Sequence, residues 1–252
     1  MSLAAMAQDF RILLDKLKSH DLLDNTGQRA LMQAIAQLDA VPPPAKRGKH
    51  LVEAPWELRI PSAESLLFVP STEDDRLQPD LFCFFSGPSN DEWPWKEQSL
   101  VIRIWSNDSK LSSRKKWDSK EVSEALRDRK WTRVLIRVHL DKAIQGDPAP
   151  LHHMQVGGVP VEEDRELCWI PPQLRMPRFP YHPMDIILAC EIVVANFFPR
   201  EFSRLRDDYE WQAVVIRAQE RTLAHHSRIC HDFCLHPDIH GKQTLLMRFW
   251  NT

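Results

Sequence analysis

The chain has 252 residues, 43% of them hydrophobic and 27% charged, with a formal net charge of -2. That balance excludes a disordered tail, a fibre and a coat of charge, while the length permits one large domain or two small ones. Seven glycines against 19 prolines disfavour folds whose glycine-rich loops cradle a nucleotide, and neither G-x-x-x-x-G-K-[ST] nor G-x-G-x-x-G occurs.

From the N-terminus, Leu3, Met6, Phe10, Leu13, Leu14 and Leu17 recur at three and four residues. A second set, Leu31, Ile35 and Leu38, follows the turn signal Asp24-Asn25-Thr26-Gly27. The spacing predicts two amphipathic helices forming a hairpin over residues 1–40. Pro42, Pro43 and Pro44 then stop any helix and a polar stretch follows, so residues 41–52 read as a linker, with an α+β domain over 53–252.

Between residues 56 and 170 the period changes to two. Short β-branched and aromatic runs at Trp56–Ile60, Ser65–Val69, Leu81–Ser86, Leu100–Trp105, Arg133–Asp141, Leu151–Val156 and Leu167–Ile170 predict about seven strands. One helix, Ser119–Arg129, interrupts them, with Ser119 as N-cap and acidic residues in its first turn. After Pro177, Pro180 and Pro183 an apolar helix is expected over Met184–Phe198, buried on every side, then a break at Pro199. A long helix follows from Arg206 to Cys234 with Trp211, Val214, Val215, Ala218, Thr222, Ile229 and Phe233 on its packing face. A last strand-like piece, Thr244–Trp250, is apolar enough to dock. The expected fold class is α+β: an N-terminal helical hairpin, a central, largely antiparallel sheet and C-terminal helices packed on it.

Five cysteines, an odd number scattered through apolar segments without a preceding signal region, point to a reduced, cytoplasmic setting. The longest apolar run, Ile186–Phe198, has 13 residues and includes Glu191 and Asn196, against the ~20 a membrane crossing needs. No membrane partner is expected.

Three constellations carry chemistry. Strand alternation puts Val134, Ile136, Val138 and Leu140 on one face and Arg133, Arg137, His139 and Asp141 on the other. His153 and Gln155 share one side of their strand, and Arg103 alternates with Ile102 and Ile104. These residues form either the solvated face of a half-exposed sheet or, if the strands are neighbours in register, a convergent surface. Such a surface binds phosphate or carboxylate through its arginines and offers His139 with Asp141 as an acid/base pair.

The second constellation, His226, Cys230, Cys234 and His236, has nitrogen and sulfur donors at helical spacing suited to zinc. It matches no standard finger, and helical cysteines also serve packing, so no cofactor is expected and zinc stands as the alternative.

The third is a basic segment, Lys110–Arg133, in which nine basic side chains outnumber four acidic ones for a net +5. Arg114, Lys115, Lys116, Trp117, Arg127, Arg129 and Lys130 supply cations and an aromatic suited to the backbone and bases of DNA or RNA. The alternative is a solvated helix face with its tryptophans in the core.

Absences complete the picture: no G-x-S-x-G elbow, H-E-x-x-H or kinase set occurs. Pro79-Asp80 is similar to the opening of restriction-type nuclease motifs, without the acidic-x-Lys partner on the next strands. Glu191 is a candidate buried carboxylate that could pair with Arg175 or Arg178.

His152-His153-Met154-Gln155-Val156-Gly157-Gly158, then Met176-Pro177-Arg178-Phe179-Pro180 and a helix ending Asn196-Phe197-Phe198-Pro199, form a layout over residues 130–205. It resembles uncharacterised bacterial proteins with an H-x-x-x-G-G strand end, an Arg/Pro stretch and an apolar helix ending in aromatics. The resemblance implies a protein of the kind encoded beside mobile-element or anti-phage defence genes, and supplies no catalytic residue. With the absent catalytic motifs, it leads to the expectation of a non-catalytic accessory subunit. Its terminal helices, with Leu13, Leu17, Leu31 and Leu38 as exposed stripes, would contact other protein subunits, and its basic segment nucleic acid. The alternative is a hydrolase or nuclease using His139, Asp141, His153 and Arg137, with or without a metal.

Overall fold

The computed structural model describes residues 3–43, 45–47, 50–52, 54–88, 95–106, 133–143, 152–157 and 178–235. Helix α1 (Leu3–Ser19) follows the apolar stripe, burying Met6, Phe10, Leu13 and Leu17. Helix α2 (Asn25–Asp39) starts where Asp24 caps it, the carboxylate accepting the Gly27 amide at 2.7 Å. The hairpin therefore forms as its periodicity predicts, but its stripe is not free. Leu13, Leu17, Leu31 and Leu38 are at most 2% exposed, because α1 and α2 turn their apolar faces into the core that also covers the sheet. The expectation that these four leucines present a partner surface is overturned.

Gly27 shows how close that docking is. A methyl group added there would sit well inside van der Waals contact of the Leu67 carbonyl, a backbone atom that cannot swing aside. Helix propensity alone would make Gly27→Ala up to about 1 kcal/mol more stable. The crowding reverses the sign, and the variant is expected to be destabilised by about 1–3 kcal/mol in chemical denaturation. A gain in stability would show that α2 does not rest on this strand as described.

The linker region holds a short antiparallel ribbon, β1 (Ala45–Arg47) with β2 (His50–Val52). The main sheet comprises β3 (Trp56–Ile60), β4 (Leu66–Leu67), β5 (Leu77–Gly87), β6 (Glu97–Ser106), β7 (Arg133–Lys142), β8 (His152–Val156) and β9 (Phe179–Pro180). Its order is β3-β5-β6-β7-β8-β9, with β4 also on β5, and every pairing is antiparallel. The α+β class and antiparallel sheet are as expected; β4 and β9 are only two residues long, leaving five longer strands. The expected elements Ser119–Arg129, Leu167–Ile170 and Thr244–Trp250 lie outside the described residues.

Leu81, Cys83 and Phe85 of β5, Leu100, Ile102 and Ile104 of β6 and Leu140 of β7 form the sheet side of the core. Against them stand α3 (Ile186–Phe197) and α5 (Tyr209–Leu235). On α5 the expected face is buried at Trp211, Val214, Val215, Ala218 and Thr222; the Ile229 and Phe233 side chains lie outside the described set. The expectation that α3 is buried all round is corrected: Ile186–Cys190, Val193 and Val194 are buried, Glu191 and Ile192 are half-buried and Asn196 is exposed. Twelve residues pack one broad face rather than a full cylinder. Glu191 makes no ion pair among the described residues, and burial pushes its carboxyl above the usual range. Arg178 is exposed and Arg175 lies outside the described residues. Pro199 opens a short helix, α4 (Pro199–Arg206), after Phe198, whose ring stacks on Phe68.

Three helices are joined by an ionic chain whose two carboxylates are buried. Asp9 of α1 receives Arg217 and Arg221 of α5 at 2.8 and 2.6 Å. Arg221 reaches on to Asp185 at 2.9 Å, and Asp185 caps α3 by accepting the Leu188 amide at 3.1 Å. Among the described residues no helix is long and apolar enough to cross a membrane.

Candidate functional site

The sheet face opposite the helices carries the polar residues. Register places Asp80, Arg103 and Arg137 in one row across β5, β6 and β7. The next row is Phe82, Val101, His139 and Gln155, and the next Phe84, Ser99, Asp141 and His153. The strands are thus neighbours, and Arg103, Arg137, His139, Asp141, His153 and Gln155 share one face. It is not a solvated face. Asp80 is 1% exposed, Arg103 2%, Arg137 0%, His153 4% and His139 9%. Among the described residues of this face, charge is most open at Asp141, whose side chain is 27% exposed.

Alternation fails at one place. The register shifts between Ile104↔Ile136 and Trp105↔Val134, so Leu135 is an extra residue in β7. A bulge inverts the facing of everything beyond it. By register Val134 pairs with Trp105 and Arg133 with Ser106, so the pairing does not follow an uninterrupted period of two.

Arg103 is held on all sides. Its Nε and Nη2 donate to the two Asp80 oxygens at 2.9 and 2.5 Å, and Nη2 also donates to the Ser62 carbonyl at 3.0 Å. The guanidinium lies 4.7 Å from the Phe82 ring centre and 4.9 Å from that of Trp105, a cation–π sandwich. Asp80 further accepts the Ser65 hydroxyl at 2.6 Å. The Pro79-Asp80 carboxylate is therefore engaged by Arg103 and Ser65, not open toward a metal. Spacing along one strand did not reveal the pair. Its only sequence trace is one acid and one base, each alone within an apolar run on consecutive strands.

His139 and Asp141 are two residues apart on β7, with Nδ1 3.8 Å from Oδ2. That is an ion-pair distance but too long for a hydrogen bond. Burial holds His139 below the ordinary histidine range; the Asp141 carboxylate works against this, Arg137 adds to it, a backbone hydrogen bond with Gly157 opposes it, and His153 adds again. The shift favours the neutral imidazole. His139 Nε2 and Asp141 Oδ1 are buried without a hydrogen-bond partner among the described residues. Gly157 closes the row: at φ 90° it adopts a left-handed conformation, and its amide donates to the Arg137 carbonyl at 2.7 Å.

The other sequence-derived sites meet the structure less fully. His226 is half-buried on α5; Cys230 and Cys234 are helix positions whose side chains lie outside the described set, as does His236 altogether. Among the described residues no group of three His, Cys, Asp or Glu side chains is placed to hold a metal. Arg114, Lys115, Lys116, Trp117, Arg127, Arg129 and Lys130 all lie outside the described residues.

Comparisons of the chain with protein families, with curated proteins and with solved structures return no match.

Proposed function

We propose that the polar face of β6, β7 and β8 is a site for a phosphate-bearing ligand and that the protein is a phosphate-ester hydrolase, with a nucleic acid as the first substrate class to test. One observation carries this reading. Arg137, His139, Asp141 and His153 occupy adjacent register positions, largely buried, with His139 Nε2 and Asp141 Oδ1 unpartnered among the described residues. Each unsatisfied buried polar group costs about 1–3 kcal/mol. Apolar residues would build the same sheet without that cost, so the cluster is better explained by a ligand than by stability.

In this reading Arg137 receives the anionic phosphoryl oxygens. His139, neutral, takes a proton from the attacking water at Nε2 while the water oxygen forms the new bond to phosphorus. The ester P–O bond breaks, its electron pair leaves with the ester oxygen, and that oxygen is reprotonated by solvent. Asp141 stabilises the imidazolium that forms, and access is from its partly exposed end. The basic segment joins Ser106 to Arg133, which are register partners at the end of β6 and β7, and its net +5 favours a polyanion. The interaction-subunit expectation loses the hairpin stripe on which it was placed.

The test is turnover of a chromogenic phosphodiester and of single- and double-stranded DNA and RNA, at low salt. Wild-type rate should rise with pH through an ionisation below about 6.5, the unperturbed histidine value, and then level, because the base must be unprotonated. His139→Asn should lower the rate by about 10²–10⁴-fold while leaving the circular dichroism spectrum unchanged. Absence of both turnover and phosphate-ester binding in the wild type, or equal rates in His139→Asn, would sink the reading.

A further inference from the structure

Strands β5, β6 and β7 give the polar face a profile that alternation on any one of them does not show. In two successive rows β5 contributes a phenylalanine, β6 a smaller side chain and β7 a titratable one: Phe82, Val101 and His139, then Phe84, Ser99 and Asp141. Neighbouring strands lie about 4.7–4.9 Å apart, so the Phe84 and Asp141 backbones stand on the order of 10 Å apart. Between them is Ser99, whose side chain is short. The second row is the open one: Phe84, Ser99 and Asp141 are each half-buried, whereas Val101 and His139 are buried. The two rings also differ in what engages them. Phe82 packs against the core and lies 4.7 Å from the Arg103 guanidinium. Phe84 belongs neither to the core nor to the apolar side chains packed on it, and makes no ring contact among the described residues.

We propose that Phe84 and the Ser99 floor form a nucleobase subsite and that the substrate of this face is a single-stranded nucleic acid, one unpaired base lying on Phe84 while its phosphate meets His139 and Arg137. The proposal rests on the reading of the face as a phosphate site and names the substrate class of that site. In a nucleotide the sugar holds base and phosphate apart, so a phosphate anchored on β7 leaves its base over a neighbouring strand. On the β8 side the open row ends in His153, which is 4% exposed, so the accessible aromatic surface is on the β5 side. Every base has a face that stacks on an aromatic ring without regard to sequence. Within a duplex those faces are covered by the adjacent pairs, and Phe84 therefore selects a single strand. The net +5 in the sequence of Lys110–Arg133 favours a strand with many phosphates over a free nucleotide.

Fluorescence anisotropy of the full chain at low salt separates base from backbone. A labelled single strand of phosphorothioate DNA, whose linkages resist hydrolysis, is compared with an abasic strand of equal length and charge and with the duplex. The single strand should bind about 5–150-fold more tightly than the abasic one, the range that one stacked base supplies. Phe84→Leu keeps apolar bulk without a ring. It should remove that preference while leaving the abasic affinity and the circular dichroism spectrum unchanged. Phe84→Trp should keep the preference, and Ser99→Leu, which fills the floor, should reduce it. Equal wild-type affinity for the two strands, a preference that survives Phe84→Leu, a parallel fall of both affinities in that variant, or tighter binding of the duplex each overturns the subsite. A nucleoside monophosphate that displaces the strand at equal concentration overturns the strand in favour of a free nucleotide. Equal binding of both strands with phosphate-ester turnover intact removes the base subsite and leaves the phosphate site, whereas binding of neither strand and no turnover removes both.

Discussion

Arg103→Met is expected to remove about 3–5 kcal/mol of stability, the cost of leaving one member of a buried ion pair without its partner. Against a total of roughly 5–15 kcal/mol for a folded protein, that brings the chain close to unfolding at ordinary temperature. The loss has identifiable parts. Asp80 keeps the Ser65 hydroxyl but loses both guanidinium bonds, and the space between Phe82 and Trp105 loses its cation. Asp80→Asn, which keeps the volume and halves the hydrogen-bond match, should fall between wild type and Arg103→Met. The double variant Asp80→Leu/Arg103→Met should recover most of the stability, because an apolar pair of similar bulk avoids desolvating either charge. Urea denaturation midpoints at equal slope decide it. A single-variant loss below about 1 kcal/mol, the range of exposed ion pairs, would mean that the pair is not the buried anchor described. Arg103 then belongs to the scaffold that sets the Arg137 row in place, and not to the groups that receive a ligand.

Asp185→Ala should be comparably damaging, for two separable reasons. The residue closes the first turn of α3 through the Leu188 amide and holds one end of the Arg221 guanidinium. Loss of an N-cap costs about 0.5–2 kcal/mol, and the stranded buried charge costs more, toward about 3–5 kcal/mol. Asp185→Asn separates the parts, since asparagine caps as well as aspartate does but carries no charge. The expected order of denaturation midpoints is wild type, then Asp185→Asn, then Asp185→Ala. Added salt should change the difference little, because the pair is shielded from the ions that screen surface charges. Equal midpoints for the asparagine and alanine variants would remove the capping role, and a wild-type midpoint for asparagine would remove the ionic one.

Strand β3 was legible to the residue, Trp56–Ile60, because one buried face and one exposed face leave an alternating record. Helices α1 and α2 were legible for the same reason at the helical period, although the turn read at Asp24-Asn25-Thr26-Gly27 already contains the first residues of α2. Part of Ser65–Val69 was over-read as strand: Leu66–Leu67 pairs with β5 and Phe68 makes only an isolated bridge to Leu23, since β-branched and aromatic content records burial as much as pairing. The polar row of Arg137, His139 and Asp141 could be drawn from β7 alone. That β8 supplied His153 directly opposite Asp141 depended on register, which alternation does not encode. The register shift at Leu135 leaves no mark in composition.

By itself the sequence determined the local periods and hence the α+β class, the helical hairpin and the alternating polar face, all properties of residues within a few positions of one another. The tertiary structure alone decided which faces are covered. It buried the hairpin leucines and the polar sheet row, and matched Asp80 to Arg103 and Asp185 to Arg221. Burial and pairing between distant segments depend on how amphipathic elements stack, and a stripe of leucines is equally satisfied by a partner protein or by its own sheet. The hydrophobic effect is non-directional, so it fixes that such a stripe is covered and leaves the identity of the cover to the packing of the whole chain.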